Sequence, residues 1–218
     1  MSILDFYKSE KVENKIINYY NGLKEPLQIN EDHINTLYED RKYCKSIIDD
    51  SNKTEQEKRI AKNSITLMTS SASNDIFEEK LSEIFDITNI NTKHGWDGND
   101  EKNNEPYEYK PTKITTMNYL GTTVNINDES KNKINNISPH KINFNNYEAN
   151  FVIAPIMKDT SEFICIYKFK EYILYRARME KLETYTSRKV YNTNINKCIE
   201  LSKKFNEKYY YWHNPKFF

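Results

Sequence analysis

Apolar residues in the first 85 positions recur mostly three and four apart, the spacing of one helix face. Ile3, Phe6, Tyr7, Val12, Ile16, Ile17 and Tyr20 predict a helix over Ser2–Leu23, with Asn21-Gly22 and Pro26 suited to its exit. A second helix is expected to open at Asn30 or Glu31 and run through Ile34, Leu37, Tyr38, Tyr43 and Ile47 until Asp50-Ser51-Asn52 breaks it. A third passes through Ile60 and Ile65 to about Met68, and Ser73 or Asn74 is placed to cap a fourth, whose Phe77, Leu81, Ile84 and Phe85 share a buried face. Past Asp86 the pattern changes. Ile87–Thr92, Tyr107–Leu120, Thr122–Ile126, Phe151–Met157 and Phe163–Phe169 are rich in β-branched and aromatic residues and read as strands, punctuated by Gly95, Gly98 and Gly121. The polar insert Asn127–Asn146 reads either as a long loop or as one holding a short helix near Ser130–Ile137. Helical spacing returns over Glu171 to about Glu183 and Asn194 to about Tyr210. No internal repeat is visible. This order predicts an α/β (α+β) chain with a mixed sheet, divided into a helical N-terminal region (1–70) and a core with C-terminal helices (71–218).

Composition adds three points. Mean hydropathy is low at −0.89, yet 17 Tyr and 10 Phe supply the apolar area that a disordered chain lacks, so the chain is expected to fold. No apolar run nears the roughly 18 residues of a membrane span, and Met1–Glu10 has no basic flank before an apolar stretch, so a soluble protein without a membrane partner is expected. Cys44, Cys165 and Cys198 are odd in number and scattered, which predicts a reducing, intracellular setting and, with His33, His94, His140 and His213 at no ligand spacing, argues against structural zinc. Formal charge is zero overall, but residues 158–218 carry 13 Lys plus Arg against 7 Asp plus Glu. The interleaved aromatics there (Tyr167, Phe169, Tyr172, Tyr175) suit phosphate contact or, equally, a solvated helix face.

Candidate chemistry centres on Trp96–Lys110. An acid, any residue, then Lys occurs at Glu13/Lys15, Asp40/Lys42, Glu78/Lys80, Asp100/Lys102, Glu108/Lys110 and Glu129/Lys131, so the triplet alone carries no weight. Glu108-Tyr109-Lys110 differs by lying in a strand-like run, which projects Glu108 and Lys110 to one face. If Ile90–Asp97 and Tyr107–Ile114 pair around Gly98–Pro106, Asp97 arrives beside Glu108. Adjacent carboxylates repel unless a divalent cation joins them, and such a cation can coordinate a phosphate and lower the pKa of an attacking water. Lys110 would orient that water or offset charge in the transition state.

This pattern resembles the PD-(D/E)xK nuclease superfamily, which includes many type II restriction endonucleases. Asn74–Leu81 looks like the helix that bears a Glu, His94–Gly98 like the strand that ends in the acid, and Glu108-Tyr109-Lys110 like the third element. The resemblance spans about Ala72–Thr123. It implies a catalytic trio of Asp97, Glu108 and Lys110, with Asp97 and Glu108 as metal ligands and Glu78, or else Glu79, as the accessory carboxylate. Trp96 stands where the family name has Pro, and Pro111 removes a donor from a strand expected to be central. The implied protein is a Mg²⁺-dependent DNA endonuclease of restriction type with a restriction-endonuclease-like mixed sheet. It would act on double-stranded DNA as a homodimer, because two cuts across a duplex call for two sites related by a dyad. Two rivals remain: a structural or interaction protein in which Glu108 and Lys110 are strand neighbours, and a calcium loop using Asp97, Asn99, Glu101 and Glu108, in which Lys102 occupies the glycine position.

Overall fold

A computed structural model describes residues 22–70, 74–90, 96–117, 120–125, 149–173 and 190–218. Residues 2–21 of the helix expected over Ser2–Leu23, the insert 127–146, His94, His140 and the basic run from Arg176 to Lys189 lie outside the described residues.

The first layer is helical. Helix α1 (Thr36–Asp49) follows a 3₁₀ turn at Glu31–His33, and α2 (Glu55–Thr69) starts at a reciprocal capping box. There Glu57 N donates to the Thr54 hydroxyl at 3.2 Å and Thr54 N donates to the Glu57 carboxylate at 2.8 Å, satisfying two otherwise orphaned donors. Helix α3 (Asn74–Phe85) turns Phe77, Leu81 and Ile84 wholly inward. Helix α3 follows its apolar periodicity, whereas α1 opens at Thr36 and not at Asn30 or Glu31, and Tyr43 and Ile60 of the expected stripes are exposed.

The sheet binds the chain together. Strands β1 (Lys24–Pro26), β2 (Thr88–Asn89), β3 (Gly98–Asp100), β4 (Glu105–Ile114), β6 (Asn150–Met157), β7 (Glu162–Phe163), β8 (Cys165–Lys170) and β10 (Tyr209–His213) form one eight-stranded mixed sheet, ordered β1-β10-β8-β6-β4-β3-β2 with β7 beside β6. Pairs β4/β6 and β1/β10 are parallel and the others antiparallel. A separate antiparallel ribbon pairs β5 (Gly121–Asn125) with β9 (Val190–Asn194), which leads into helix α4 (Ile195–Phe205). One apolar cluster lies between the sheet and α4, around Phe151, Ile153, Cys165, Phe169, Cys198 and Leu201; the other lies beneath α1 and α3, around Leu37, Phe77, Leu81, Tyr109, Val152 and Ile166.

Three features depart from the sequence reading. Residues 24–26, assigned to a helical region, form an edge strand, and Leu23, Leu27, Ile34 and Leu37 belong to the two apolar clusters. The helix expected to run to Tyr210 ends at Phe205, where Asn206 takes the left-handed conformation (φ 57°), and β10 follows. The strand expected to reach Leu120 stops at Ile114.

Pro111 sits in a long inner strand without breaking it. Asp97 N donates to Tyr107 O at 2.9 Å and Tyr109 N points to the same side, so backbone alternation sends the Pro111 nitrogen toward β3 as well. Pairing with β3 ends at Tyr107, so no partner is lost there. Pro106 faces β6, whose pairing with β4 begins only at Tyr107.

Gly98 is the tightest point of this architecture. A Cβ there would lie 2.9 Å from the Tyr109 hydroxyl, 3.1 Å from Ile87 Cδ1 and 3.4 Å from Ser82 Oγ. Gly98→Ala should therefore force β3 away from α3 and lower stability by about 1–3 kcal/mol. In urea unfolding, the midpoint should fall with the slope unchanged; an unmoved midpoint would show that the close approach is dispensable.

Candidate active site

Asp97 stands where β3 and β4 part. Its backbone still behaves as strand, since its N–H reaches Tyr107 O and its carbonyl accepts from Ile90 N at 2.9 Å. Two residues further along β4, past the end of its described pairing with β3, the Asp97 carboxylate supplies the acceptor: Tyr109 N donates to Oδ2 at 2.6 Å. The side chain thus substitutes for the missing strand, which fixes its position in the plane of the sheet. The hairpin register that brings it there is set by the Glu101–Asn104 turn. Asp100 accepts from Lys102 N at 3.0 Å and from Asn103 N at 3.2 Å, and Asn104 is left-handed (φ 53°).

Tyr109 points into the α3 face, fully buried, with Ser82 Oγ 3.3 Å from its hydroxyl and the Phe85 ring stacked 6.2 Å away. By alternation Glu108 and Lys110 emerge on the α4 face, beside Phe151 and Ile153, with side chains 23% and 24% exposed. Their charged ends are paired. The Lys110 ammonium also donates to Tyr109 O at 3.0 Å, and since that carbonyl opens toward the fork, the ammonium leans toward Asp97. The ring of Phe151 lies 5.9 Å from the same ammonium.

Glu78 approaches from α3, the opposite face. Burial pushes its carboxyl up to about 7, Asp97 pushes in the same direction, and Lys110 opposes them, with Asp75 and Glu108 adding smaller repulsions. Asp97 is pushed up to about 6, first by burial and then by Glu108, against Lys110 and the Tyr109 N–H. These mutual effects put Glu78, Asp97, Glu108 and Lys110 in one electrostatic neighbourhood built from three separate elements. Glu79 faces elsewhere, exposed on a cleft with His33 and Glu83, which separates it from Glu78. Asp75 escaped the sequence reading, although it acts on both Glu78 and Asp97. Its spacing of three residues before Glu78, which places both on one helix face, was the available signal.

The donor set is all oxygen, as a hard divalent cation requires, and the elevated proton affinities of Glu78 and Asp97 mark negative charge that such a cation would neutralise. Among the described residues, however, no group of three or more Asp, Glu, His or Cys is drawn together as a metal cage, and Glu108 is committed to Lys110. The calcium loop is not formed. Residues 97–108 make a hairpin whose Asp100 is spent on its own turn, while Glu101 accepts from the Thr88 hydroxyl at 3.0 Å. Cys165 and Cys198 are fully buried, and burial pushes both thiols up to about 12, consistent with core positions. Comparison of the chain with protein-family models gives no match, and comparison with curated proteins gives none either.

The raised carboxyls have a consequence for stability. Between their ordinary values, 4.5 for Glu78 and 3.8 for Asp97, and their folded values of about 7 and about 6, the folded chain holds protons that the unfolded chain has released. Their contribution is therefore fully present below about pH 4 and is lost as pH rises through 6 to 7. In chelator-treated protein, the urea midpoint should decline from pH 5 to pH 8 more steeply in wild type than in a Glu78→Gln, Asp97→Asn variant. Equal slopes would mean that neither carboxyl is perturbed.

Proposed function

We propose that the protein is a Mg²⁺-dependent endodeoxyribonuclease of restriction type, a hydrolase acting on phosphodiester bonds of double-stranded DNA. The observation that carries this reading is the fork itself, where the Asp97 carboxylate is pinned on Tyr109 N and lies within electrostatic reach of Glu78, Glu108 and Lys110. Helix, strand-end acid and acid-x-Lys strand follow the order of the PD-(D/E)xK resemblance, and the mixed sheet agrees with it in class. Asp97 and Glu108 would hold the cation and Glu78 would serve as the accessory carboxylate. Bound there, magnesium supplies a Lewis acid for a phosphate oxygen and a water of lowered pKa. Lys110, already directed toward the fork by Tyr109 O, stabilises the charge that develops on the phosphate once Glu108 turns to the cation. Glu78, with its high proton affinity, is suited to hold a proton near neutral pH. Cutting both strands would require a homodimer. The rival reading, a structural or interaction protein, draws on the Glu108–Lys110 ion pair, a contact that a sheet face makes without any chemistry.

Purified protein incubated with supercoiled plasmid and phage DNA plus Mg²⁺ should nick or linearise the DNA, and chelator should stop it. Asp97→Ala and Lys110→Ala should each reduce the rate by about a hundredfold or more. Glu78→Gln should retain the fold and lose part of the rate. DNA that stays intact across methylated and unmethylated substrates, or variants that cut like wild type, would remove the nuclease reading and leave the structural one.

A further inference from the structure

Lysine seldom sits on the apolar face of an inner strand, and β8 carries one there. Lys168 lies between Val152 of β6 and Tyr210 of β10 in their ladders. Alternation therefore turns it to the face of Val152, Tyr107 and Tyr109, the apolar side beneath α1 and α3. Its ammonium stands 4.5 Å from the centroid of the Tyr210 ring and 5.7 Å from that of Tyr107. The nearest carboxylate is already committed. Glu105 takes Lys170 on one oxygen at 3.3 Å and Asn150 Nδ2 on the other at 2.6 Å. Lys168 is thus left with rings alone: among the described residues its Nζ has neither an ion pair nor a hydrogen-bond acceptor.

Ring faces attract an ammonium, but they do not replace the hydrogen bonds it gives up with water. Burial accordingly holds the Lys168 amine below its ordinary range; Glu105 and Asp100 act against this and Lys170 adds to it. The nitrogen can still be reached. Arg41 Nε is sealed from water without a partner, whereas the half-buried Lys168 keeps its Nζ open to it. A lysine that is desolvated, close to a second cation and within reach of a reagent is an activated nucleophile. Acyl transfer is the reaction that removes the cost of its buried charge, because the product amide is neutral. An imine formed with an aldehyde is readily protonated and would keep that cost. The flanking rings favour a small acyl donor.

We propose that Lys168 is a modification site, the described lysine that a small acyl phosphate acylates first. The neutral amine attacks the carbonyl carbon and a C–N bond forms. The bond from that carbon to the phosphate oxygen breaks, phosphate leaves with the bonding pair, and the proton shed by nitrogen goes to water. The proposal stands independently of the nuclease reading, since Lys168 is not one of the fork residues.

Treatment of the full chain with acetyl phosphate near neutral pH, with tandem mass spectrometry to resolve Lys168 from Lys170, provides the test. Lys168 should acetylate about threefold or more faster than Lys42 and Lys102, although their side chains are 67% and 81% exposed. In a pH series its rate should level off at a lower pH than theirs. In urea the difference should vanish, because folding creates it. Tyr210→Glu places a carboxylate opposite Lys168 and should slow its acetylation without changing that of Lys42. If that variant does not fold, the wild-type pH series decides alone. The proposal is overturned if Lys168 reacts no faster than Lys42 and Lys102 in the folded chain, if Lys170 reacts in its place, if the preference persists in urea, or if all three lysines level off at the same pH.

Discussion

The approach of β3 to Tyr109 is the constraint on which the rest depends. Gly98 lets the strand come within reach of the Tyr109 hydroxyl and of Ser82 on α3, and no larger residue fits without a shift. Because that contact closes the hairpin against the helix, the next residue back, Asp97, is delivered to the point where β4 still presents an unpaired N–H. A buried donor without a partner costs on the order of 1–3 kcal/mol, so the carboxylate is drawn into the fork by the backbone's own need. The geometry of the candidate site is thus a product of packing on its far side.

Holding acids in that fork works against folding. Glu78 and Asp97 lose water on burial and repel the charges around them, and among the described residues Lys110 is the cation that opposes them. Lys110 is itself divided between Glu108 and a backbone carbonyl. Such an arrangement is poor as a structural device, because apolar residues of similar size would pack there at lower cost. It is intelligible as a site that gives up stability to concentrate charge, and strongly shifted carboxyls in one neighbourhood are a common mark of functional positions.

The sheet separates two surfaces of different character. At the fork, between the faces covered by α3 and α4, carboxylates dominate; at the β10 edge, rings and a lysine do. From β4 to β10 the sheet crosses β6 and β8, roughly 14 Å at ordinary strand spacing. The acidic fork and the aromatic edge are therefore set apart by the width of the two strands between them.

Local pattern was enough for much of this. The periodicity of Leu37, Phe77, Leu81 and Ile84 marks the helices that cover one face, and the β-branched run from Phe151 to Met157 marks an inner strand, because burial on one stripe or on both faces leaves its period in the chain itself. Alternation also places Glu108 and Lys110 together. Tertiary structure decided what has no local signature. Lys24–Pro26 becomes a strand through its ladder with β10, and Tyr209–His213 through ladders on both sides, with β1 and with β8. Pro111 is tolerated only because β3 has ended beside it. Glu78 is preferred to Glu79 by the direction α3 presents to the fork, and Asp75 joins them through field and not through motif. The resemblance to a nuclease superfamily could be drawn from Asp97, Glu108 and Lys110 in sequence. That the Asp97 carboxylate takes the place of a missing strand, and that Phe218 folds back onto His213, depends on hydrogen bonds and ring contacts between segments far apart in the chain, which the order of residues does not encode by itself.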